Sequence, residues 1–118
     1  MPGISIHAVD VASGTVAAGM QVEVFAVSSG NERKLIARGR LSARGTLDDS
    51  ALNATFAAGC YEAVFQVGEY FRSLGGPLPN VPFLDVVSYR FGIAEPQQHY
   101  HLPFKFTAWG YSCFRGGA

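Results

Sequence analysis

Short runs in which apolar and polar side chains alternate recur along the chain, and this two-residue period most constrains its fold. In a β-strand successive side chains point to opposite faces, so one face of each run is expected in a core. Turn-forming residues separate the runs. The predicted strands cover residues 3–11, 20–27, 34–41, 54–56, 60–67, 83–91, 99–106 and 111–114. About eight short strands predict an all-β sandwich or barrel.

One segment, residues 69–74, has helical character. Tyr70, Phe71 and Leu74 are spaced to share one face of a short helix, and the sequence Gly-Gly-Pro at 75–77 should end it. At 118 residues, the chain is expected to form one domain over 1–118.

The charge pattern limits the classes of partner. Nine basic residues balance nine acidic ones, and no basic cluster is present, so nucleic acid is not an expected partner. No apolar run reaches the roughly 18 residues of a membrane helix, so no membrane association is expected. No export signal is visible, and Cys60 and Cys113 are expected as reduced thiols in the cytoplasm.

The three histidines are the clearest candidates for chemistry. His99 and His101 are two residues apart in a predicted strand, so they should share a face while Tyr100 and Leu102 point into the core. His7 lies in the first predicted strand. A neutral imidazole suits a general base near pH 7, and three histidines also suit zinc. A histidine with a purely structural hydrogen bond is the third alternative.

The C-terminal sequence Phe114-Arg115-Gly116-Gly117 allows two interpretations. It is either a frayed tail or a place where an arginine and two glycines let the backbone approach a small anionic ligand. The common nucleotide-binding and serine-nucleophile motifs are absent from the sequence. The residues alone therefore indicate a small all-β domain with a candidate histidine site.

Four sequence motifs together resemble the transthyretin-like family, and within it the 5-hydroxyisourate hydrolases. They are IHAVD at 6–10, GEYF at 68–71, HYHLP at 99–103 and GYS at 110–112. The resemblance extends almost from end to end. It implies a transthyretin-like two-sheet β-sandwich with one short helix, assembled as a homotetramer with active sites at the dimer–dimer interface. It also implies a purine-derived substrate, whose ring is opened by water, and neither metal nor cofactor.

The family's catalytic histidines match His7 and His101 of this chain. The family's arginine, which lies in a turn, falls at Thr46, while Arg44 lies two positions earlier. His99 is expected to support His101. The resemblance therefore places His7 and His101 in catalysis and places His99, Arg44 and Thr46 at the substrate.

The family's terminal Tyr-Arg-Gly-Ser is replaced here by Phe114, Arg115, Gly116 and Gly117. Arg115 is kept and is the expected source of positive charge in catalysis. Phe114, Gly116 and Gly117 are expected at the substrate, but the tyrosine and serine hydroxyls are lost.

The resemblance predicts one function, and these losses add two alternatives to it. The first is hydrolysis of 5-hydroxyisourate or a close analogue in urate degradation. The second is the same reaction on an N-methylated ring from caffeine-type purines, because a site with fewer donors suits a ligand with fewer hydrogen-bonding groups. The third is a tetramer that binds a ligand without catalysis.

Overall fold

Eight strands, one short α-helix and one 3₁₀ turn make up the computed structural model, which describes residues 2–117. The elements are β1 (Gly3–Asp10), β2 (Thr15–Val16), β3 (Gln21–Val27), β4 (Arg33–Arg40), a 3₁₀ turn (Ser50–Asn53), β5 (Gly59–Gln66), α1 (Val67–Leu74), β6 (Val86–Ile93), β7 (His99–Phe106) and β8 (Tyr111–Cys113). The predicted all-β class, the strand number and the single helix are confirmed.

The strands form two four-stranded sheets that pack face to face. One sheet has the order β2-β1-β7-β8, and the other has the order β4-β3-β5-β6. Strands β1 and β7 run parallel, and the other paired strands are antiparallel. Inward-facing side chains from both sheets fill the space between them, as in other sandwiches. Phe65 of β5 stacks on Phe104 of β7 with ring centroids 3.9 Å apart.

A cluster of ion pairs lies on the outer face of the β4-β3-β5-β6 sheet. Glu62 is almost fully buried there, and Arg33 and Arg90 donate to its two carboxylate oxygens at 3.0 and 2.8 Å. The hydrogen bond from Arg90 is the main reason that the pKa of Glu62 is lowered, although burial opposes it. This face therefore carries fixed charge pairs.

The helix begins slightly earlier than predicted and ends as predicted. Gly75 adopts a left-handed conformation (φ 65°), and its N–H donates to the carbonyl of Arg72. Only glycine adopts this conformation without steric cost, so the helix stops there. No helix within residues 2–117 is long and apolar enough to cross a membrane.

Three strand predictions need correction. The predicted strand at 54–56 is wrong, because the Asp49 side chain accepts the N–H of Ala51 and starts a 3₁₀ turn at Ser50–Asn53, which inserts Leu52 into the core. The strand predicted to begin at 83 begins at Val86. The two-residue strand Thr15–Val16 was predicted as turn, and it forms because it pairs with the end of β1.

Candidate active site

Parallel pairing of β1 and β7 brings the first and last parts of the chain together. Ser5 lies opposite His101, and Gly3 lies opposite His99. Because side chains alternate along both strands, Ser5, His7, His99 and His101 all lie on the outward face of the sheet. All four are half-buried, whereas their neighbours Ile4, Ile6, Tyr100 and Leu102 lie in the core. The predicted orientation of the β7 histidines is confirmed.

The hydroxyl of Ser5 connects the two histidines of β7. Its Oγ lies 2.7 Å from Nε2 of His99 and 2.7 Å from Nδ1 of His101. The other ring nitrogen of His99, Nδ1, lies 3.4 Å from the carbonyl oxygen of Pro2. Sequence reasoning missed Ser5 as a site residue. Its position two residues before His7 in an alternating strand would have placed it on the histidine face.

The electrostatics of the cluster favour the neutral form of His101. Burial is the main reason that its pKa falls below the ordinary value of 6.5, and the nearby imidazoles of His7 and His99 lower it further. Desolvation and like charges both oppose the imidazolium form. His101 is therefore neutral at pH 7 and can accept a proton.

A tight turn at 42–46 packs against β1 and places Thr46 beside His7. His7 and Thr46 are antiparallel bridge partners, and the N–H of Ala8 donates to the carbonyl of Gly45 at 2.9 Å. Gly45 has a φ of 77°, and a Cβ there would lie 2.7 Å from Cβ of Val16. Glycine is thus required for the approach that puts Thr46 at the site.

The side chains of this turn interact mainly with one another. The hydroxyl of Thr46 donates to Oδ1 of Asp48 at 2.7 Å and is hydrogen-bonded to Oγ of Ser42 at 2.9 Å. Arg44 is exposed, and its guanidinium lies 3.8 Å from Oδ2 of Asp48. At the position of the family's arginine, the Thr46 hydroxyl is therefore already hydrogen-bonded within the protein.

An open groove of about 600 Å³ runs between this turn, the 3₁₀ turn and the edge of the histidine cluster. It is lined by Ile4, Ser5, Ile6, Arg44, Thr46, Leu47, Asp48, Asp49, Ser50, Leu52, Asn53 and His101. The groove thus joins two predicted substrate-binding residues, Arg44 and Thr46, to the predicted catalytic His101. It is the space on this face into which a ligand of His101 could extend.

The C-terminal segment returns along β7 and covers one side of His101. The N–H of Gly116 donates to the carbonyl of His101 at 2.8 Å. A Cβ at Gly116 would lie 2.8 Å from Cγ of Pro103 and 3.2 Å from Cδ2 of His101. Glycine at 116 therefore permits this close approach, whereas a Cβ at Gly117 would meet no atom within 4 Å.

The side chains of Arg115 and Phe114 make contacts outside the groove. The guanidinium of Arg115 donates to Oε1 of Gln98 and to the carbonyl of His99, both at 3.0 Å, and its Cζ lies 3.9 Å from the ring centroid of Tyr100. Phe114 is exposed beside Lys105. The structure thus brings His7, His99, His101 and Thr46 together but turns the Arg115 guanidinium toward the start of β7.

A metal centre was one of the alternatives for these histidines. Within residues 2–117, no group of three or more His, Cys, Asp or Glu side chains has an arrangement that would hold a metal ion. Ser5 instead provides a hydrogen-bonding partner for a ring nitrogen of both His99 and His101. The arrangement of these residues fits acid–base chemistry on water.

A family model described as "HIUase/Transthyretin family" matches residues 4–116. The chain therefore belongs to this family, as the sequence motifs predicted. One curated relative is 5-hydroxyisourate hydrolase 2 of Rhizobium meliloti (strain 1021), which is 40% identical over 96% of this chain and 94% of its own length. Another is the 5-hydroxyisourate hydrolase of Ralstonia nicotianae (strain ATCC BAA-1114 / GMI1000), 37% identical over 98% of this chain and 99% of its own length.

Two solved structures share the fold. The 5-hydroxyisourate hydrolase of Klebsiella pneumoniae has a TM-score of 0.77 and 28% identity, and the match covers 99% of this chain and 100% of that one. An (S)-allantoin synthase has a TM-score of 0.87 and 32% identity over 98% of this chain. This chain spans only 43% of the length of the allantoin synthase. The transthyretin-like sandwich is thus confirmed.

The lowered pKa of His101 can be measured directly. In an NMR titration, the His101 ring signals should shift with a midpoint below pH 6.5. Replacing His7 with Gln removes one like charge, so the midpoint should rise, yet it should stay below 6.5 because burial is the larger cause. A midpoint at or above 6.5 in the unmodified protein would contradict this account.

Proposed function

We propose that this chain is a hydrolase that opens the ring of 5-hydroxyisourate, or of a close analogue, with water in urate degradation. Two relatives are named for this activity, and this chain matches each of them over nearly its whole length. The observation that carries the proposal is the neutral, half-buried His101 beside His7 on the outward face, next to an open groove. Such a pair can activate water against a cyclic amide.

The proposed reaction begins with a water molecule held between His7 and His101. Nε2 of His101, the ring nitrogen that Ser5 does not contact, takes one proton as the water oxygen bonds to the ring carbonyl carbon, C6. The tetrahedral intermediate then collapses and the bond from C6 to the neighbouring ring nitrogen breaks. That nitrogen receives the proton from the imidazolium, which restores neutral His101. The product carries a carboxylic acid, which releases its proton to solvent and becomes a carboxylate at pH 7.

The negative oxygen of the tetrahedral intermediate needs a donor or a cation. Arg115 stays the predicted residue for this role. Its backbone is adjacent to Gly116, which is hydrogen-bonded to His101, but its guanidinium is bonded to Gln98 and to the carbonyl of His99. The proposed role therefore requires this exposed side chain to leave those partners when substrate binds.

The decisive experiment follows the absorbance of freshly made 5-hydroxyisourate against its spontaneous decay. The unmodified protein should accelerate the decay. Because a positioned acid or base contributes about 10²–10⁴-fold, His7→Ala and His101→Ala should each lower turnover by that order. Arg115→Ala should be nearly as harmful, and His99→Ala should have a smaller effect.

Circular dichroism of each variant controls for unfolding. If the unmodified protein accelerates neither this decay nor that of an N-methylated analogue, hydrolysis is excluded and a non-catalytic ligand-binding protein takes its place.

A second candidate function is the same hydrolysis of an N-methylated ring. It is favoured because Thr46, the residue at the family's arginine position, has its hydroxyl bonded to Asp48 and Ser42, and because Phe114 and Gly117 bring no hydroxyl. A methylated ring offers fewer hydrogen-bonding groups, so fewer of its groups would lack a partner in a site with few donors.

Restoring the lost groups tests this candidate. If the protein prefers the methylated ring, the double change Thr46→Arg with Gly117→Ser should raise kcat/KM on the unmethylated ring, since each regained hydrogen bond contributes about 0.5–1.5 kcal/mol. Apart from its chain neighbours, no described atom lies within 4 Å of a Cβ at Gly117, but its φ of 21° is one that side chains rarely adopt, so the serine adds some backbone strain. Kinetics on both substrates measure the preference, and an unchanged ratio in the double variant would count against the role given to Thr46 and Gly117.

We further propose that the chain works as a homotetramer in the cytoplasm, with its sites at the dimer–dimer interface. Large apolar side chains on the surface support this assembly, because small monomers rarely expose extended apolar patches. Val81, Phe83, Trp109, Tyr111 and Phe114 are all at least 43% exposed. The edge strands β6 and β8 also have unpaired sides.

Light scattering at micromolar concentration should accordingly show one species with the mass of four chains, since burial of these aromatic side chains favours association. Addition of moderate urea should dissociate it before the strands unfold. A stable monomer in the absence of denaturant would overturn the tetramer and its interfacial site.

A further inference from the structure

We infer that Ser5 is a positioning residue that fixes the tautomer of His101, so that Nε2, the ring nitrogen that Ser5 does not contact, stays unprotonated beside the substrate groove. This inference deepens the proposed function and rests on it for its kinetic consequences. It starts from the chain of hydrogen-bonding partners Pro2, His99, Ser5 and His101, in which each group lies within 3.4 Å of the next.

The direction of the hydrogen bonds follows from the carbonyl at one end of the chain. A carbonyl oxygen can only accept, so the 3.4 Å contact of Pro2 with Nδ1 of His99 is a hydrogen bond when Nδ1 carries the ring proton, which is the tautomer we assign to His99. The Nε2 of neutral His99 is then an acceptor and receives the Ser5 hydroxyl proton at 2.7 Å. The oxygen of Ser5 in turn accepts the proton on Nδ1 of His101 at 2.7 Å.

Only one proton is available on a neutral imidazole, so His101 protonated at Nδ1 has a free lone pair at Nε2. This is the nitrogen that a general base needs toward water. If the Ser5 hydroxyl instead donated to Nδ1 of His101, the single ring proton of His101 would lie on Nε2. That nitrogen could then not accept a proton from water. The interaction of His99 with Pro2 therefore selects the reactive tautomer, and Ser5 transmits that selection.

The arrangement also explains why His99 supports the reaction without contacting the groove. Ser5 and His101 line the groove, whereas His99 does not. His99 acts on the tautomer of His101 through the Ser5 hydroxyl. Removing either the hydroxyl or the His99 ring should have the same consequence for the His101 tautomer, and this equivalence separates a positioning role from general packing.

The test compares Ser5→Ala with Ser5→Thr, which keeps a hydroxyl, and with Ser88→Ala on the exposed face of β6 as the matched control. Two-dimensional ¹H–¹⁵N NMR of ¹⁵N-histidine protein identifies the tautomer of each ring without substrate. The unmodified protein and Ser88→Ala should show His101 protonated at Nδ1. Ser5→Ala and His99→Ala should both show a mixture of tautomers, and Ser5→Thr should restore the single form.

The kinetic counterpart is a loss of about tenfold in kcat for Ser5→Ala, the size expected for one hydrogen bond, with KM changed less than kcat and with Ser5→Thr recovering most of the rate. His101 protonated at Nε2 in the unmodified protein would overturn the inference, as would a tautomer unaffected by Ser5→Ala. Because the NMR measurement needs no turnover, it stands even if 5-hydroxyisourate is not hydrolysed.

Discussion

The parallel pairing of β1 with β7 is the interaction on which the site depends. Its paired residues, such as Gly3 and His99, lie 96 positions apart in sequence, and all the other strands except β8 lie between the two strands. Parallel neighbours cannot be joined by a tight turn, so the intervening chain must form the second sheet and return. Closing so long a loop costs entropy, which the stacked aromatic core between the sheets offsets.

The outward faces of the two sheets differ in charge, since one carries an ionised carboxylate and the other a neutral histidine. This difference determines which face is suited to acid–base chemistry. Glu62 is held ionised by two arginines on one face, and a paired charge of this kind stabilises a fold but is poorly suited to exchange protons. The other face holds His101, which burial keeps neutral. An imidazole that is neutral at pH 7 is suited to accept a proton and return it.

Close backbone packing, rather than side-chain charge, holds the turn at 42–46 and the C-terminal segment against the site. Gly45 and Gly116 allow the turn and the C-terminal segment to pack closely on the β1–β7 pair, so Thr46 and the tail reach the histidines whatever side chains they carry. Substitutions at Thr46, Phe114 and Gly117 can therefore change the donors offered to a ligand without changing the frame.

The sequence by itself determined the strand period, the helix end at Gly75 and the shared face of His99 and His101, because each depends on local backbone geometry. Its motifs also identified the family and predicted His7 and His101 as the catalytic histidines. The 3₁₀ turn at Ser50–Asn53, the contacts of Ser5 with His99 and His101 and the direction of the Arg115 guanidinium were decided only by the tertiary structure. Each of these depends on partners distant in sequence or on competition among local hydrogen bonds, and alternation along a strand carries no information about either.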